Sequence, residues 1–262
     1  MKPAPCSSSS PLLCQIRGEM ESLARANGPE KKAVLQSFFK TGKGQYGEGD
    51  IFYGITVPQV RNLAKKYRQA LFRESGDTLT ALIRNPYHEC RLLALLCMVK
   101  EMEKAEPAKA EALYRFYMEH AAYVNNWDLV DLSAPQIVGE WHLRSKDWKP
   151  LKDYARSQHL WTQRIAILAT FAFIKAGDTE PVYTIGDILL QHPHDLIRKA
   201  TGWMLREAGK RVSEQEEKLY LTRCRKKSEP PRYRLMPRTM LRYAIERFTP
   251  AERQAFLKGT LS

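Results

Sequence analysis

Residues 160–174, LWTQRIAILATFAFI, contain a single charged side chain, Arg164, in an otherwise mostly apolar run. The apolar residues of this run are spaced for a helix that is buried on most of its surface. An unpaired charge inside such a helix costs several kcal/mol, so Arg164 needs a partner.

Three other segments resemble this one, namely HECRLLALLCMV (88–99), NNWDLVDLSAPQIV (125–138) and HDLIRKATGWMLREAG (194–209). Aligned on Arg91, Asp128, Arg164 and Arg198, the four segments are 37, 36 and 34 residues apart. A period in the middle thirties with two helices per unit is typical of stacked helical hairpins. Helical spacing continues from about residue 15 onward, without sustained period-two alternation. The sequence therefore predicts an all-α fold, an α-solenoid in which equivalent positions of successive repeats share one concave layer.

The chain of 262 residues is 44% hydrophobic, which is enough for a sizeable core. Its first residues, MKPAPCSSSSPLLC, are rich in serine and proline, and we predict a disordered tail over 1–14 and a single repeat domain over 15–262. The tail lacks the apolar run of an ordinary signal peptide. No segment approaches the roughly 18 apolar residues of a membrane span. We therefore expect a soluble cytoplasmic protein without a membrane partner.

The chain carries 42 Lys and Arg against 29 Asp and Glu, a net charge of +13. Such an excess favours a polyanionic partner, with nucleic acid ahead of an anionic membrane, although a protein can also be basic without one. Five cysteines without a CxxC pair do not indicate a zinc site. The glycine-rich stretch GKGQYGEGD (42–50) lacks a phosphate-loop pattern. We expect neither a metal nor a cofactor.

One helical stripe in the segment 194–209 and just beyond it combines cations with an aromatic residue. Lys199, Trp203, Arg206 and Lys210 stand at i, i+4, i+7 and i+11. This stripe suits a phosphate backbone with an aromatic platform among the cations. The alternative is a solvated charged face with Trp203 partly in the core. Toward the C-terminus, Arg238, Arg242 and Arg247 extend the basic stripe, which favours phosphate binding.

Trp127 and Asp131 are also i and i+4, on the equivalent helix of another repeat, and Arg164 is their counterpart in the next. The concave layer would then carry these three residues beside Trp203. In that case Arg164 need not be buried, because it points into a groove toward phosphate or Asp131. The alternative is a structural ion pair between Arg164 and an aspartate. Asp128 points about 100° away from Trp127, so we expect it to cap or pair locally.

Five segments together resemble the HEAT-repeat DNA alkylation-repair glycosylases of the AlkD family over residues 20–250. They are YGITVPQVRNLAKKY (53–67), NNWDLVDLSA (125–134), LWTQRIAILATFAFIKAGD (160–178), HDLIRKATGWMLREAGKR (194–211) and MPRTMLRYAIERF (236–248). The resemblance implies a C-shaped solenoid of HEAT-like repeats with a basic concave face. It implies a monomeric, cofactor-free base excision repair enzyme, associated with the nucleoid. Its reaction is hydrolysis of the N-glycosidic bond of N3-methyladenine, N7-methylguanine and similar cationic purines in duplex DNA, without base flipping.

The resemblance also assigns roles to individual residues. Asp131 matches the catalytic aspartate, and Trp127 and Trp203 match two tryptophans that flank the lesion sugar. Arg164 matches a groove arginine, and Arg206 a phosphate-contacting one. A further position, a tyrosine in one family member, aligns loosely with Phe38 and lacks the hydroxyl here. With these matches, the catalytic candidates are Asp131, Trp127, Trp203 and Arg164. The DNA-binding candidates are Phe38, Lys199, Arg206, Lys210, Arg238 and Arg242.

Two rival interpretations stay open. A HEAT-repeat relative could bind bent or branched DNA without cutting it. Such a binder would be expected to lose the aspartate or a tryptophan, and all of these are present. A protein-interaction scaffold is the commonest use of α-solenoids, but the many cations of the predicted concave face argue against it.

Overall fold

The computed structural model describes residues 10–74 and 76–260 of the chain. These residues form helices joined by turns, and no β-strand occurs among them beyond the isolated bridges Ile51–Tyr87 and Cys224–Pro231. The all-α prediction is confirmed. The helices are α1 Pro11–Ser37, α2 Val57–Arg73, α3 Asp77–Ile83, α4 His88–Met102, α5 Pro107–Glu119, α6 Trp127–Asp131, α7 Glu140–Ser145, α8 Pro150–Arg156, α9 Leu160–Lys175, α10 Glu180–Ile188, α11 Asp195–Arg211, α12 Glu214–Thr222, α13 Arg232–Leu235, α14 Arg238–Ala244 and α15 Pro250–Lys258. Short 3₁₀ helices span Ala121–Tyr123 and Ile245–Arg247, and Pro135–Gly139 forms a π-helical turn.

Helix α1 begins earlier than the sequence suggested. The Ser10 hydroxyl accepts the backbone N–H of Leu13 at 3.1 Å, and Pro11 occupies the first helical position, where its missing N–H is harmless. The predicted tail over 1–14 is therefore wrong for residues 10–14, which are capped or helical. Residues 1–9 lie outside the described residues.

Helix α2 starts at a capping box within TVPQV (56–60). The Gln59 side chain accepts the backbone N–H of Thr56 at 2.8 Å, and Pro58 lies in the first turn. The capping residues are local in sequence, and Asn27 of α1 supports them by donating through Nδ2 to Oε1 of Gln59 at 3.0 Å.

The chain divides after Leu129 into two compact units. In the unit that ends at Leu129, α2 and α3 pack against α4, and α1 packs on α2 and α3. Nearly every residue of α4 is buried, so this helix forms the centre of that unit.

The unit that begins at Val130 has two layers. One layer places the π-helical turn, α9, α11 and α14 side by side in chain order, and α8, α10 and α12 pack behind them. The pairs α8–α9 and α10–α11 are helical hairpins, which confirms the stacked hairpins predicted from the repeat. The single domain over 15–262, the C-shape and the basic concave face stay predictions.

Glycine allows a close helix contact in this layer. A methyl group at Gly202 would lie 2.3 Å from the carbonyl oxygen of Met240, so α11 and α14 touch through their backbones there. This contact fixes the turn of α11 that carries Trp203.

Glu217 on α12 is a buried carboxyl group that makes stability depend on pH. It is 2% exposed, and burial raises its pKa to about 9. A raised folded-state pKa means that the stability contribution is complete below the unfolded value of about 4.3 and is lost progressively as the pH rises from that value through 9. We expect Glu217→Gln to raise the melting temperature over the wild type at pH 8 but not at pH 4. Thermal unfolding measures both.

Glu214→Gln is the control, since the Glu214 side chain is half-exposed and pairs with Lys218. An equal gain from Glu217→Gln at both pH values would show that Glu217 is not protonated in the folded protein.

Candidate active site

Arg164 on α9 binds Asp131 at the end of α6 through a two-pronged ion pair. Its Nε donates to Oδ1 at 2.8 Å and its Nη2 to Oδ2 at 2.7 Å. The third nitrogen, Nη1, donates to the backbone carbonyl of Leu196, just inside α11. All three guanidinium nitrogens are therefore engaged, and the planar fork fixes the carboxylate plane.

Arg164 is 5% exposed, so the expectation that it lies unburied in a groove is wrong. The alternative, a structural ion pair with an aspartate, is confirmed, with Asp131 as the partner. The apolar helix tolerates this charge because a carboxylate and a carbonyl satisfy it where it is buried.

Asp131 is the outward half of the pair. Its side chain is 18% exposed, against 6% for that of Arg164. A ligand can therefore approach Asp131 while Arg164 holds it from the protein side. This is the arrangement of a carboxylate whose position is fixed before any ligand binds.

Helix α6 ends at Asp131 for a local reason. Pro135 stands four residues later, lacks an N–H and would clash with the carbonyl of Asp131 in a continuous α-helix. The chain instead turns and forms the π-helical segment Pro135–Gly139. Insertions of this kind often mark functional sites.

Trp127 begins α6, and residues of the unit that ends at Leu129 hold it in place. The side-chain oxygen of Asn126 accepts the backbone N–H of Trp127 at 2.9 Å. The half-buried indole stacks on Phe39, with ring centroids 5.4 Å apart and an interplanar angle of 27°. Trp127 and Asp131 are the first and last residues of the same five-residue helix.

Phe39, rather than its neighbour Phe38, makes this aromatic contact. Phe38 is 64% exposed, and its predicted DNA contact stays a prediction. The loose alignment of the N-terminal helix could not decide between two adjacent phenylalanines.

Asp128 accepts a local backbone hydrogen bond, as expected, but its ion-pair partner is His88, 40 residues away in the sequence. Its Oδ1 accepts the backbone N–H of Leu129 at 2.8 Å, and its Oδ2 lies 2.8 Å from Nε2 of His88. His88 and the buried Asp50 are functional candidates that the sequence did not reveal, because no motif links the glycine-rich loop to α4.

The stripe on α11 lies on its surface side, whereas Ile197, Ala200, Leu205 and Ala208 of the same helix are buried. Trp203 and Arg206 are half-buried and Lys210 is exposed. Lys199 forms an ion pair with Asp195 at 2.7 Å. Arg206 contacts two carboxylates, Glu246 and, at 3.3 Å, Glu207.

Arg206, Lys210 and Arg247 line an open pocket of about 370 Å³ together with Glu207 and Glu246. A phosphate that binds Arg206 must therefore either displace the Glu246 carboxylate or share the guanidinium with it. The Glu246 side chain is 53% exposed.

Arg238 and Arg242 are both exposed on α14, which is followed by a further helix, α15. Arg238 donates through Nη1 to the carbonyl of Leu257. Among residues 10–74 and 76–260, no ion pair involves Arg242 or Lys210.

Within the same described residues, no group of three or more His, Cys, Asp or Glu side chains could hold a metal ion. No described helix is both long and apolar enough to cross a membrane.

A sequence model of the family described as DNA alkylation repair enzyme matches residues 19–248. The chain belongs to this family. The resemblance seen in the sequence is thereby confirmed, and membership supports a role in alkylation repair, with DNA as the substrate.

Two solved structures share the fold of this family member. One is described as a predicted DNA alkylation repair enzyme from Enterococcus faecalis, with a TM-score of 0.65, 15% identity and coverage of 86% of this chain and 97% of that one. The other is the crystal structure of smu.31 from Streptococcus mutans UA159, with a TM-score of 0.50, 13% identity and coverage of 90% and 98%. At these identities the likeness concerns the fold alone. A comparison with curated protein sequences gives no match.

If the protein binds duplex DNA through the exposed cations of α11 and α14, removal of these cations should reduce the salt dependence of binding. We expect the double variant Lys210→Ala/Arg242→Ala to weaken duplex binding and to lower the slope of log K against log salt by about 2, since each phosphate contact contributes about 0.9. Binding titrations at several salt concentrations measure this slope.

The matched control is Lys149→Ala/Lys152→Ala, which changes the N-cap and the first turn of the rear helix α8. If both double variants reduce the slope equally, the layer formed by α9, α11 and α14 is not the DNA-binding side.

Proposed function

We propose that the protein is a monofunctional DNA glycosylase that excises cationic N3- and N7-alkylated purines from duplex DNA. The observation that carries this proposal is the Asp131–Arg164 pair. Arg164 uses every guanidinium nitrogen inside the protein, while the Asp131 side chain keeps 18% of its surface exposed. Such a carboxylate can face a substrate in one fixed orientation.

The residue types suit this reaction. Alkylation at N3 or N7 gives the purine a positive charge, so the base leaves without protonation by an acid. The rising charge is then the oxocarbenium character of the deoxyribose, as in other glycoside cleavage. One carboxylate, Asp131, stabilises this charge electrostatically and orients the attacking water. Water is the only co-substrate that the hydrolysis requires.

The two tryptophans have a supporting role in the proposal. Trp127 and Trp203 are each half-buried in their own unit, so part of each indole remains open. An electron-rich indole face attracts a cationic base or sugar. The hydrogen bond from the Trp127 backbone N–H to the Asn126 side chain and the stack on Phe39 restrict the motion of Trp127 before substrate arrives.

Selectivity in this mechanism comes from the lability of the glycosidic bond rather than from contacts to the base. We therefore propose excision without base flipping, in contrast to glycosylases that read an extruded base in a closed pocket.

A panel of duplexes tests the proposal, each with one lesion: 7-methylguanine, 3-methyladenine, hypoxanthine or uracil. We expect release of the two cationic bases and an abasic site in their place, and no release of the two neutral bases. Release of hypoxanthine as fast as 7-methylguanine would contradict a mechanism that depends on leaving-group charge.

A further inference from the structure

A buried polar and aromatic cluster lies behind Trp127 in the unit that ends at Leu129. Its centre is His88 at the start of α4, which is 2% exposed. Nε2 of His88 lies 2.8 Å from Oδ2 of Asp128, and Nδ1 lies 3.5 Å from Oδ2 of Asp50. The first distance is a hydrogen bond and the second a charge contact. The imidazole is thus held between two carboxylates.

The first connection from His88 to Trp127 is a stack of rings. The imidazole stacks on Phe52 at 4.8 Å, Phe52 on Phe39 at 5.0 Å, and Phe39 on the Trp127 indole at 5.4 Å. Phe39 also contacts His88 directly, at 5.1 Å between ring centroids. A shift of the imidazole is therefore transmitted to the face on which the indole rests.

The second connection is polar. Asp50 accepts from Arg91 at 2.5 Å and from the side-chain amide of Asn126 at 2.9 Å. The same Asn126 side chain accepts the backbone N–H of Trp127. The chain of contacts runs from His88 through Asp50 and Asn126 to the first backbone group of α6.

The third connection is the bond to Asp128, the residue after Trp127 in α6. His88 thus reaches the indole ring, the Trp127 backbone and the next residue of the helix. Within the described part of this unit, the three connections meet at one side chain.

Charge is what makes this arrangement stable. Burial alone would lower the pKa of His88, but the bonds to Asp128 and Asp50 outweigh burial and the nearby Arg91, and raise the pKa to about 9. The facing groups are Asp50 from the loop, Asp128 from α6 and Arg91 from α4 itself. At neutral pH the imidazolium places a positive charge between these two carboxylates, and a neutral ring would remove that charge from the buried cluster.

We propose that His88 is a positioning residue that fixes Trp127 and the start of α6 for glycosidic bond cleavage. His88 does not touch the substrate and acts through Asp128, Asn126 and Phe39. This inference rests on the proposed function in so far as Trp127 faces the substrate, but the link between His88 and Trp127 is a property of the free protein.

The first test uses the free protein and needs no activity. The difference between the fluorescence of the wild type and that of Trp127→Phe isolates the Trp127 emission. We expect this emission to change with a midpoint near pH 9, and the change to be absent when the same pair is compared in a His88→Gln background. The same transition in that background, or no transition in the wild type, would overturn the link between His88 and Trp127.

The second test measures single-turnover excision of 7-methylguanine. We expect His88→Gln to slow the step by about a hundredfold, as displacement of a reacting geometry does, with the duplex dissociation constant nearly unchanged. If His88→Gln folds poorly, Asp128→Asn is the second variant, because it keeps the side-chain shape. We expect Asp128→Asn to slow excision as well. The wild-type rate should fall as the pH rises through 9.

His120→Gln is the matched control, because His120 is 5% exposed in the same unit and its Nδ1 bonds only locally, to the carbonyl of Phe116. Equal slowing by His120→Gln would overturn a specific role for His88. If the wild type excises nothing, the proposed function fails, while the fluorescence titration still decides the link between His88 and Trp127.

Discussion

Asp131→Asn is expected to abolish excision of cationic purines while leaving duplex affinity nearly intact. The amide keeps the size of the side chain but removes the negative charge that stabilises an oxocarbenium-like sugar. Binding should persist because phosphate contacts supply most of the affinity for duplex DNA. Single-turnover release of 7-methylguanine and a duplex titration measure the two effects separately.

This substitution also leaves Arg164 buried without its counter-charge, which costs about 3–5 kcal/mol of stability. The chain offers a matched control in Asp187–Arg232, where Nε–Oδ1 is 2.6 Å and Nη2–Oδ2 is 2.8 Å. Asp187→Asn should lower stability and keep excision. An Asp131→Asn variant that loses binding as much as excision, or an Asp187→Asn variant that loses excision as well, would contradict the assigned role of Asp131.

Arg164→Ala is expected to slow excision by about a hundredfold, because an unsupported Asp131 no longer holds the reacting geometry. Loss of the buried partner should lower stability by about 3–5 kcal/mol. Duplex binding should keep its salt dependence, since Arg164 is 5% exposed and its nitrogens bind Asp131 and the Leu196 carbonyl. Excision rates, denaturant unfolding and binding at several salt concentrations measure the three effects.

A salt slope that falls by about 1 in Arg164→Ala would mean that Arg164 contacts a phosphate, in conflict with its burial. Arg232→Ala removes the arginine of the control pair and should reduce stability without slowing excision.

The fold was predictable where one short segment sets one element. Thr56 and Gln59 form a capping box at α2, and His194 caps α11, accepting the backbone N–H of Leu196 at 3.2 Å. The period in the middle thirties predicted stacked hairpins because each repeat buries its apolar face on its neighbour. The start of α1 was misplaced because a Ser/Pro-rich stretch also fits a helix cap followed by proline.

The site was predictable in its residue types and not in its contacts. The run 160–174 showed that Arg164 needs a partner, but its burial depends on the Leu196 carbonyl, 32 residues away. The support for Trp127 depends on Asp50, in a loop 76 residues before Asn126. Such contacts follow from tertiary packing, which periodicity does not encode.

Release of free base from a methylated duplex by the wild-type protein distinguishes a glycosylase from a DNA-binding protein. We expect free 7-methylguanine and an intact strand that carries an abasic site, as hydrolysis of the N-glycosidic bond requires. No free base, with salt-sensitive duplex binding retained, would contradict a glycosylase and favour a protein that binds bent or branched DNA.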